Sequence, residues 1–323
     1  MDDPNTADLG PRGTPKRRAP SGARGDVMAD NHLHLYPHQF PHHGHPVSPP
    51  EGPYPLERVE QYVMAAAERG VTELAFTEHF YRCFESEDVL GPFWKRETAS
   101  ISEATREDVL ADRRISLESY VDVVLRAKDA GLPVLLGLEV DFFPETIQAV
   151  VEFVDQYPFD VLLGSVHWIG GWGFDKPHAV EEWERRGRRS VYEEFFRLEA
   201  ELASSGAVDV LAHPDRVKMR GQRLDTEPLD LYQELVAASV TGGIVVELNS
   251  GGLRHPVEEV YPGPTLLAMF AEAGLDLSLA SDAHMPDDAA WGFDALGRIA
   301  LDAGFTHTVR FDQRRRSQEP IDG

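Results

Sequence analysis

A single cysteine, Cys83, stands in a chain of 323 residues, so no intramolecular disulfide can form and a disulfide framework is excluded. This fits a reducing compartment, with Cys83 read as a free structural thiol. Positive charge is also scarce: 31 Lys and Arg face 55 Asp and Glu, a formal net charge of -24. Such an excess repels phosphate backbones and anionic lipid, which argues against nucleic acid and membrane as partners. No apolar run approaches the length that spans a bilayer. The stretch 1–26 is rich in Pro, Gly, Arg and Asp without the apolar centre of a secretory signal, and reads as a disordered arm. A soluble cytoplasmic protein is the expectation. Missing too are a P-loop, a G-x-S-x-G elbow and a G-x-G-x-x-G between strand and helix. Nucleotide-dependent and serine-hydrolase schemes lose their footing.

What is present is a repeated alternation. Strand-like runs at 28–35, 73–77, 134–140, 161–166, 208–212, 244–248, 276–280 and 306–311 are separated by amphipathic helical stretches at 56–69, 117–130, 146–156, 192–204, 229–239, 265–273 and 289–303. Gly70, Gly131, Gly206, Gly242 and Gly274 close helices shortly before the next strand. Repetition of this unit predicts an α/β fold with a parallel sheet, and seven or eight units favour a closed TIM-like barrel over an open sheet. Residues 27–312 are expected to form that one domain and 313–323 a C-terminal tail.

Histidines and carboxylates fall at the ends of these strands: His32 and His34, Glu78 and His79, Glu139, His167, His213, Asp282 and His284. The C-terminal ends of strands are where barrels carry their chemistry. Residues two apart on a strand share a face, so the imidazoles of His32 and His34 point the same way, as do the side chains of Asp282 and His284. Neutral imidazole with carboxylate oxygen suits divalent cations. A hydrolytic metalloenzyme is the leading expectation.

The motifs H-L-H, T-E-H, G-L-E-V-D, G-S-V-H-W-I-G-G-W-G-F-D, A-H-P-D, E-L-N-S-G-G-L-R and S-D-A-H, in this order between about Asp30 and Phe311, resemble the polymerase and histidinol phosphatase (PHP) family, in its histidinol-phosphate phosphatase branch. The resemblance implies a distorted (β/α)7 barrel and two or three divalent ions, zinc, manganese or iron. It further implies hydrolysis of a phosphate monoester, L-histidinol phosphate, in histidine biosynthesis. Carried over by position, His32, His34, Glu139 and Asp282 match one metal pocket, and His79, His167 and His213 the neighbouring ones. Glu139 is the bridge and His284 closes the third. Glu78 stays open between direct ligation and orienting His79, and Asp141 is read as a supporting carboxylate.

The chain departs from the family between His34 and Glu57, where the further ligand many relatives carry could be His38, His42, His43, His45, Glu51 or none of them. Arg254, in E-L-N-S-G-G-L-R, is the leading phosphate contact, with Arg216 and Lys218 as weaker candidates. Trp168, Trp172 and Phe174 either wall the pocket or pack their own loop. The implied chemistry is metal-assisted attack of water on phosphorus with no phosphoenzyme, and Asp282 or His284 assists proton transfer to the leaving alkoxide. Two rival readings are a PHP phosphoesterase for a sugar phosphate, nucleotide or phosphotyrosine, and a catalytically silent metal-binding module.

Overall fold

The computed structural model describes residues 28–39, 47–176 and 179–321. The expected arm at 1–26, and with it His42, His43 and His45, lies outside these. Seven strands form one parallel sheet in chain order: β1 (Ala29–Leu33), β2 (Glu73–Phe76), β3 (Val134–Asp141), β4 (Val161–Ser165), β5 (Val210–Leu211), β6 (Val245–Asn249) and β7 (Leu277–Ala280). All their residues are buried, which is why they read as near-continuous apolar runs. The sheet curls until its edges meet just past β7: His34 N donates to Ala283 O at 2.7 Å and Asp282 N to His32 O at 2.9 Å. The result is the expected distorted (β/α)7 barrel.

Among the described residues the helices are α1 (Leu56–Ala67), α2 (Ser86–Leu90), α3 (Ala99–Asp112), α4 (Leu117–Asp129), α5 (Ile147–Val154), α6 (Val180–Arg186), α7 (Arg188–Ser205), α8 (Leu229–Gly242), α9 (Pro264–Glu272) and α10 (Phe293–Ala303). Local chemistry places several ends. Ser116 caps α4 by accepting from Ser119 N at 3.1 Å, and Pro264 opens α9, where a missing N–H costs nothing. Val59, Tyr62 and Ala66 give α1 its buried stripe. None of these helices is long and apolar enough to cross a membrane. Helices α2 and α3 fill a stretch to which the sequence alone assigned no element, because their apolar residues lack a regular helical spacing.

One helix end differs from expectation for a packing reason. The left-handed residue after α8 is Gly243, at φ 62°, while Gly242 is the last helical residue. A Cβ on Gly242 would stand 1.9 Å from the carbonyl oxygen of Ala203 in α7, so this glycine lets the two helices touch backbone to backbone. Gly242→Ala should destabilise the protein by about 1–3 kcal/mol, read as a lower midpoint in urea with an unchanged slope.

The eighth strand candidate does not join the barrel. β8 (His307–Asp312) turns through Gln313 and Arg314, both at positive φ, and pairs antiparallel with β9 (Arg315–Pro320), inside the stretch expected to be a tail. Val309 and Phe311 pack against Ala75, Leu135, Val161 and Val245 at the N-terminal mouth of the barrel, so the hairpin serves as its floor. Arg314 pairs with Asp209 at 2.9 Å and Arg316 with Asp276 at 2.9 Å, tying the floor to the rim.

Candidate metal centre

The inward face of each strand changes character along its length. On β3 the alternation that buries Leu135 in the apolar floor brings Glu139 and Asp141 inward above it; on β4 it carries Val161 and Leu163, then Ser165 and His167 beyond the strand end. β6 likewise carries Val245, then Glu247. The polar ends therefore converge over a closed apolar plug, at the mouth where β1 contributes His32 and the adjoining His34. Two members depart from ordinary backbone: His213 at φ 30° and Asp282 at φ 54° lie where side chains are rarely accommodated. Such strain at a cluster of candidate ligands is held in place by the surrounding structure.

Glu139 is the hub. Its Oε2 lies 2.5 Å from His79 Nδ1, 3.4 Å from His32 Nε2 and 3.6 Å from His34 Nε2. Its Oε1 lies 3.1 Å from His213 Nε2 and 3.5 Å from His167 Nε2. Asp282 Oδ1 is 3.3 Å from His34 Nε2 and 3.8 Å from His32 Nε2. Four overlapping groups bring their ligand atoms within 4.8 Å of one another: His32, His34 and Asp282; His32, Glu139 and His213; His79, Glu139 and His167; His34, His79 and His284.

The donor set fits divalent cations on its own evidence. His79 Nε2 and His167 Nε2 are buried without a hydrogen-bond partner among the described residues. Imidazole nitrogens also face one another, His32 and His34 at 3.1 Å and His284 and His38 at 3.1 Å. Buried lone pairs left in this way are costly unless a cation takes them. Burial holds His79, His167 and His284 well below the ordinary imidazole range, and the neutral ring is the form that ligates. For Glu139 burial works against the charge, but His79, His32 and His167 keep the carboxyl well below its usual range.

A ring of supporting groups orients these ligands. His32 Nδ1 lies 3.0 Å from Glu247 Oε2 and 3.2 Å from Oε1, and His167 Nδ1 lies 2.7 Å from Asp141 Oδ1. Each contact turns the other ring nitrogen toward the cluster. Glu78 accepts from His79 N at 3.0 Å and from Arg82 at 2.9 Å, and stands 3.6 Å from His34 Nδ1, so it braces the first strand as well as the second. Glu247 was not singled out in the sequence, although it opens E-L-N-S-G-G-L-R and shares the inward parity of Val245. Glu247→Gln should weaken metal binding about 10- to 100-fold while leaving the fold intact, which titration of the metal-stripped protein would measure.

Of the candidates after His34, His38 reaches the cluster, with Nδ1 2.5 Å from Asp112 and Nε2 toward His284. Glu51 is exposed. Arg216 sits between carboxylates, 3.1 Å from Asp175 and 3.5 Å from Asp282 Oδ2. Arg254 instead spans the loop after β7, donating to Ser281 O at 2.6 Å and Asp282 O at 3.2 Å and pairing with Asp288 at 3.0 Å. Lys218 is drawn away, with Asp215 at 2.6 Å and Glu259 at 2.5 Å. A cavity of about 300 Å³ opens beside His79 and His167, walled by Trp168, Tyr81, Val109, Asp175, Arg216 and Met219. Trp168 thus walls it, whereas Trp172 and Phe174 pack with Trp183 and Phe195. Cys83 is buried, and burial pushes its thiol well up, as an inert structural residue requires.

The chain is similar to known proteins over most of its length. The chain is 31% identical over 286 residues, 88% of its length, to a probable histidinol-phosphatase of Deinococcus radiodurans, of which it covers 96%. A probable histidinol-phosphatase of Schizosaccharomyces pombe is 22% identical over 259 residues, 76% of this chain and 80% of that one. In fold, the chain resembles the histidinol phosphate phosphatase of Lactococcus lactis, solved with zinc, L-histidinol and phosphate (TM-score 0.65, 18% identity, 90% of this chain and 98% of that one). A second likeness is to the putative histidinol phosphatase of Listeria monocytogenes (TM-score 0.62, 17% identity, 83% and 99%). The PHP domain matches residues 56–251, the stretch that supplies His79, Glu139, His167 and His213. With that match covering more than half of the chain and the Deinococcus relative aligned over nearly all of its own length, the chain belongs to the PHP domain family.

Proposed function

We infer that this protein is a metal-dependent phosphomonoesterase that hydrolyses L-histidinol phosphate to L-histidinol and phosphate, a step of histidine biosynthesis. The observation that carries this reading is the 31% identity extending over 96% of a relative named as a probable histidinol-phosphatase. The cavity beside the cluster has the size of a small-molecule site.

His32, His34, His79, Glu139, His167, His213, Asp282 and His284 would hold two or three divalent ions, with His38 added at the His284 side. Zinc is the first to test, because the Lactococcus neighbour was solved with it; manganese and iron suit the same donors. When bound, these ions supply Lewis acidity to phosphoryl oxygens and bring the pKa of water toward neutrality.

The chain's own residues do the rest. Arg216, at the cavity wall, neutralises charge on the phosphate and offers paired N–H donors to its oxygens. We place it ahead of Arg254 because Arg216 lines the cavity, whereas Arg254 reaches two carbonyls and Asp288 across the loop after β7 and so holds that loop in shape. Lys218, committed to Asp215 and Glu259, is left out of the phosphate site. Asp282 turns Oδ1 to the histidines and Oδ2 toward Arg216, so one oxygen can ligate while the other takes the proton released by the attacking water and hands it to the leaving alkoxide.

The test is phosphate release by metal-stripped protein, with zinc, manganese or iron added back. L-histidinol phosphate is compared with p-nitrophenyl phosphate and a sugar phosphate. The expected result is metal-dependent turnover with kcat/KM for L-histidinol phosphate at least about 100-fold above the others. Activity confined to the other esters would remove the biosynthetic assignment, and none at full metal loading would make the domain a silent module.

A further inference from the structure

Asp175 ends the segment G-S-V-H-W-I-G-G-W-G-F-D, and neither metal binding nor phosphate neutralisation fully accounts for it. Only 6% of its surface is exposed, yet it lines the cavity beside the metal cluster. Its two oxygens differ. Oδ2 accepts from Arg216 Nε at 3.2 Å and Nη2 at 3.1 Å, while Oδ1 is buried with no hydrogen-bond partner among the described residues. An ionised carboxylate oxygen left in this way lacks hydrogen bonding that a donor entering the cavity would restore. Asp112, which also lines the cavity, is already committed to His38, Tyr81 and Arg82.

Position narrows the donor further. Arg216 stands between Asp175 and Asp282, so the open oxygen of Asp175 lies about one guanidinium away from the metal cluster. A ligand that puts its phosphate at the metals and Arg216 must then present a cation only a few bonds from the ester oxygen. L-histidinol phosphate carries its ammonium two carbons from that oxygen. The apolar and aromatic wall of Trp168, Val109 and Met219 would be left for the ring.

Resting on the functional reading above, we propose that Asp175 sets substrate specificity: Oδ1 accepts the ammonium of an amino-alcohol phosphate while Oδ2 holds Arg216 against the phosphate. One buried carboxylate thereby reads both ends of a zwitterion. Phosphate esters whose alcohol carries no ammonium reach the metals but leave Oδ1 unsatisfied, and are selected against for that reason.

The experiment compares an aminoalkyl phosphate with the alkyl phosphate of the same length, alongside L-histidinol phosphate, for the wild-type holoenzyme, Asp175→Asn and Asp175→Glu. Metal content and circular dichroism are checked in each. The wild type should favour the aminoalkyl ester. In Asp175→Asn that preference, the ratio of the two kcat/KM values, should fall about 10- to 100-fold, even though both esters lose some rate as Arg216 loosens. Asp175→Glu, which keeps the charge, should restore part of it. An equal loss on both esters would show that Asp175 acts only through Arg216 and would overturn the proposal, as would a wild type with no amine preference. A wild type that prefers the aminoalkyl ester but turns over L-histidinol phosphate poorly sinks the functional reading and leaves the role of Asp175 standing. If Asp175→Asn does not fold, Asp175→Ser is measured in its place, and a preference for the aminoalkyl ester unchanged from the wild type there overturns the assignment.

Discussion

Glu139→Gln is expected to lose the metals and at least about 1,000-fold in turnover, while the metal-stripped protein keeps its fold. The carboxylate faces five imidazoles, and one oxygen alone serves His79, His32 and His34. An amide keeps the shape but loses the charge and one acceptor, so it cannot offset the repulsion between neighbouring cations. Stability separates this from simple unfolding. A ligand that binds only the folded state raises the melting temperature with its concentration. The wild type should show that rise on adding zinc or manganese, and Glu139→Gln should lack it. A variant that still melts higher with metal and turns over near the wild-type rate would remove Glu139 from the centre of the site.

The second large effect is expected at Arg216. Its guanidinium is partly buried between Asp175 and Asp282 and lines the cavity. Arg216→Ala should reduce kcat/KM for phosphate monoesters about 100- to 1,000-fold, the range seen when one buried donor to developing charge is removed. Metal content should hold, because the imidazoles and Glu139 are untouched. Arg216→Lys should recover little, since a single ammonium cannot reproduce the paired donors that serve Asp175 and phosphate together. Steady-state kinetics beside metal analysis gives the answer. Loss of metal in step with activity would make Arg216 a structural brace of Asp282. Arg254→Ala should then be the milder change at the phosphate, acting through the loop it ties.

Several parts of this picture were legible in order along the chain. The parity of His32 with His34, the placing of Glu139 on the inward face of its strand, and the pairing of helical and strand periods all follow from local geometry. Asp141 beside Glu139 was likewise readable as a supporting group. Glu247 was not, because its partner His32 lies 215 residues away and nothing near either residue reports the contact. The same holds for His38, whose approach to His284 and Asp112 depends on how the segment after β1 folds back.

The sequence by itself determined the alternation of strand and helix, the strand-end positions of the candidate ligands, and the acidic balance of the chain. These are properties of neighbours and of sums, which need no knowledge of the fold. The tertiary structure decided that β8 becomes the floor of the barrel and not an eighth stave, because a strand's local pattern does not say which edge it will meet. It also separated three similar cations, placing Arg216 at the cavity, Arg254 across a loop and Lys218 among other carboxylates. A long flexible side chain on a loop can reach in several directions, and the carboxylates that capture it come from distant parts of the chain.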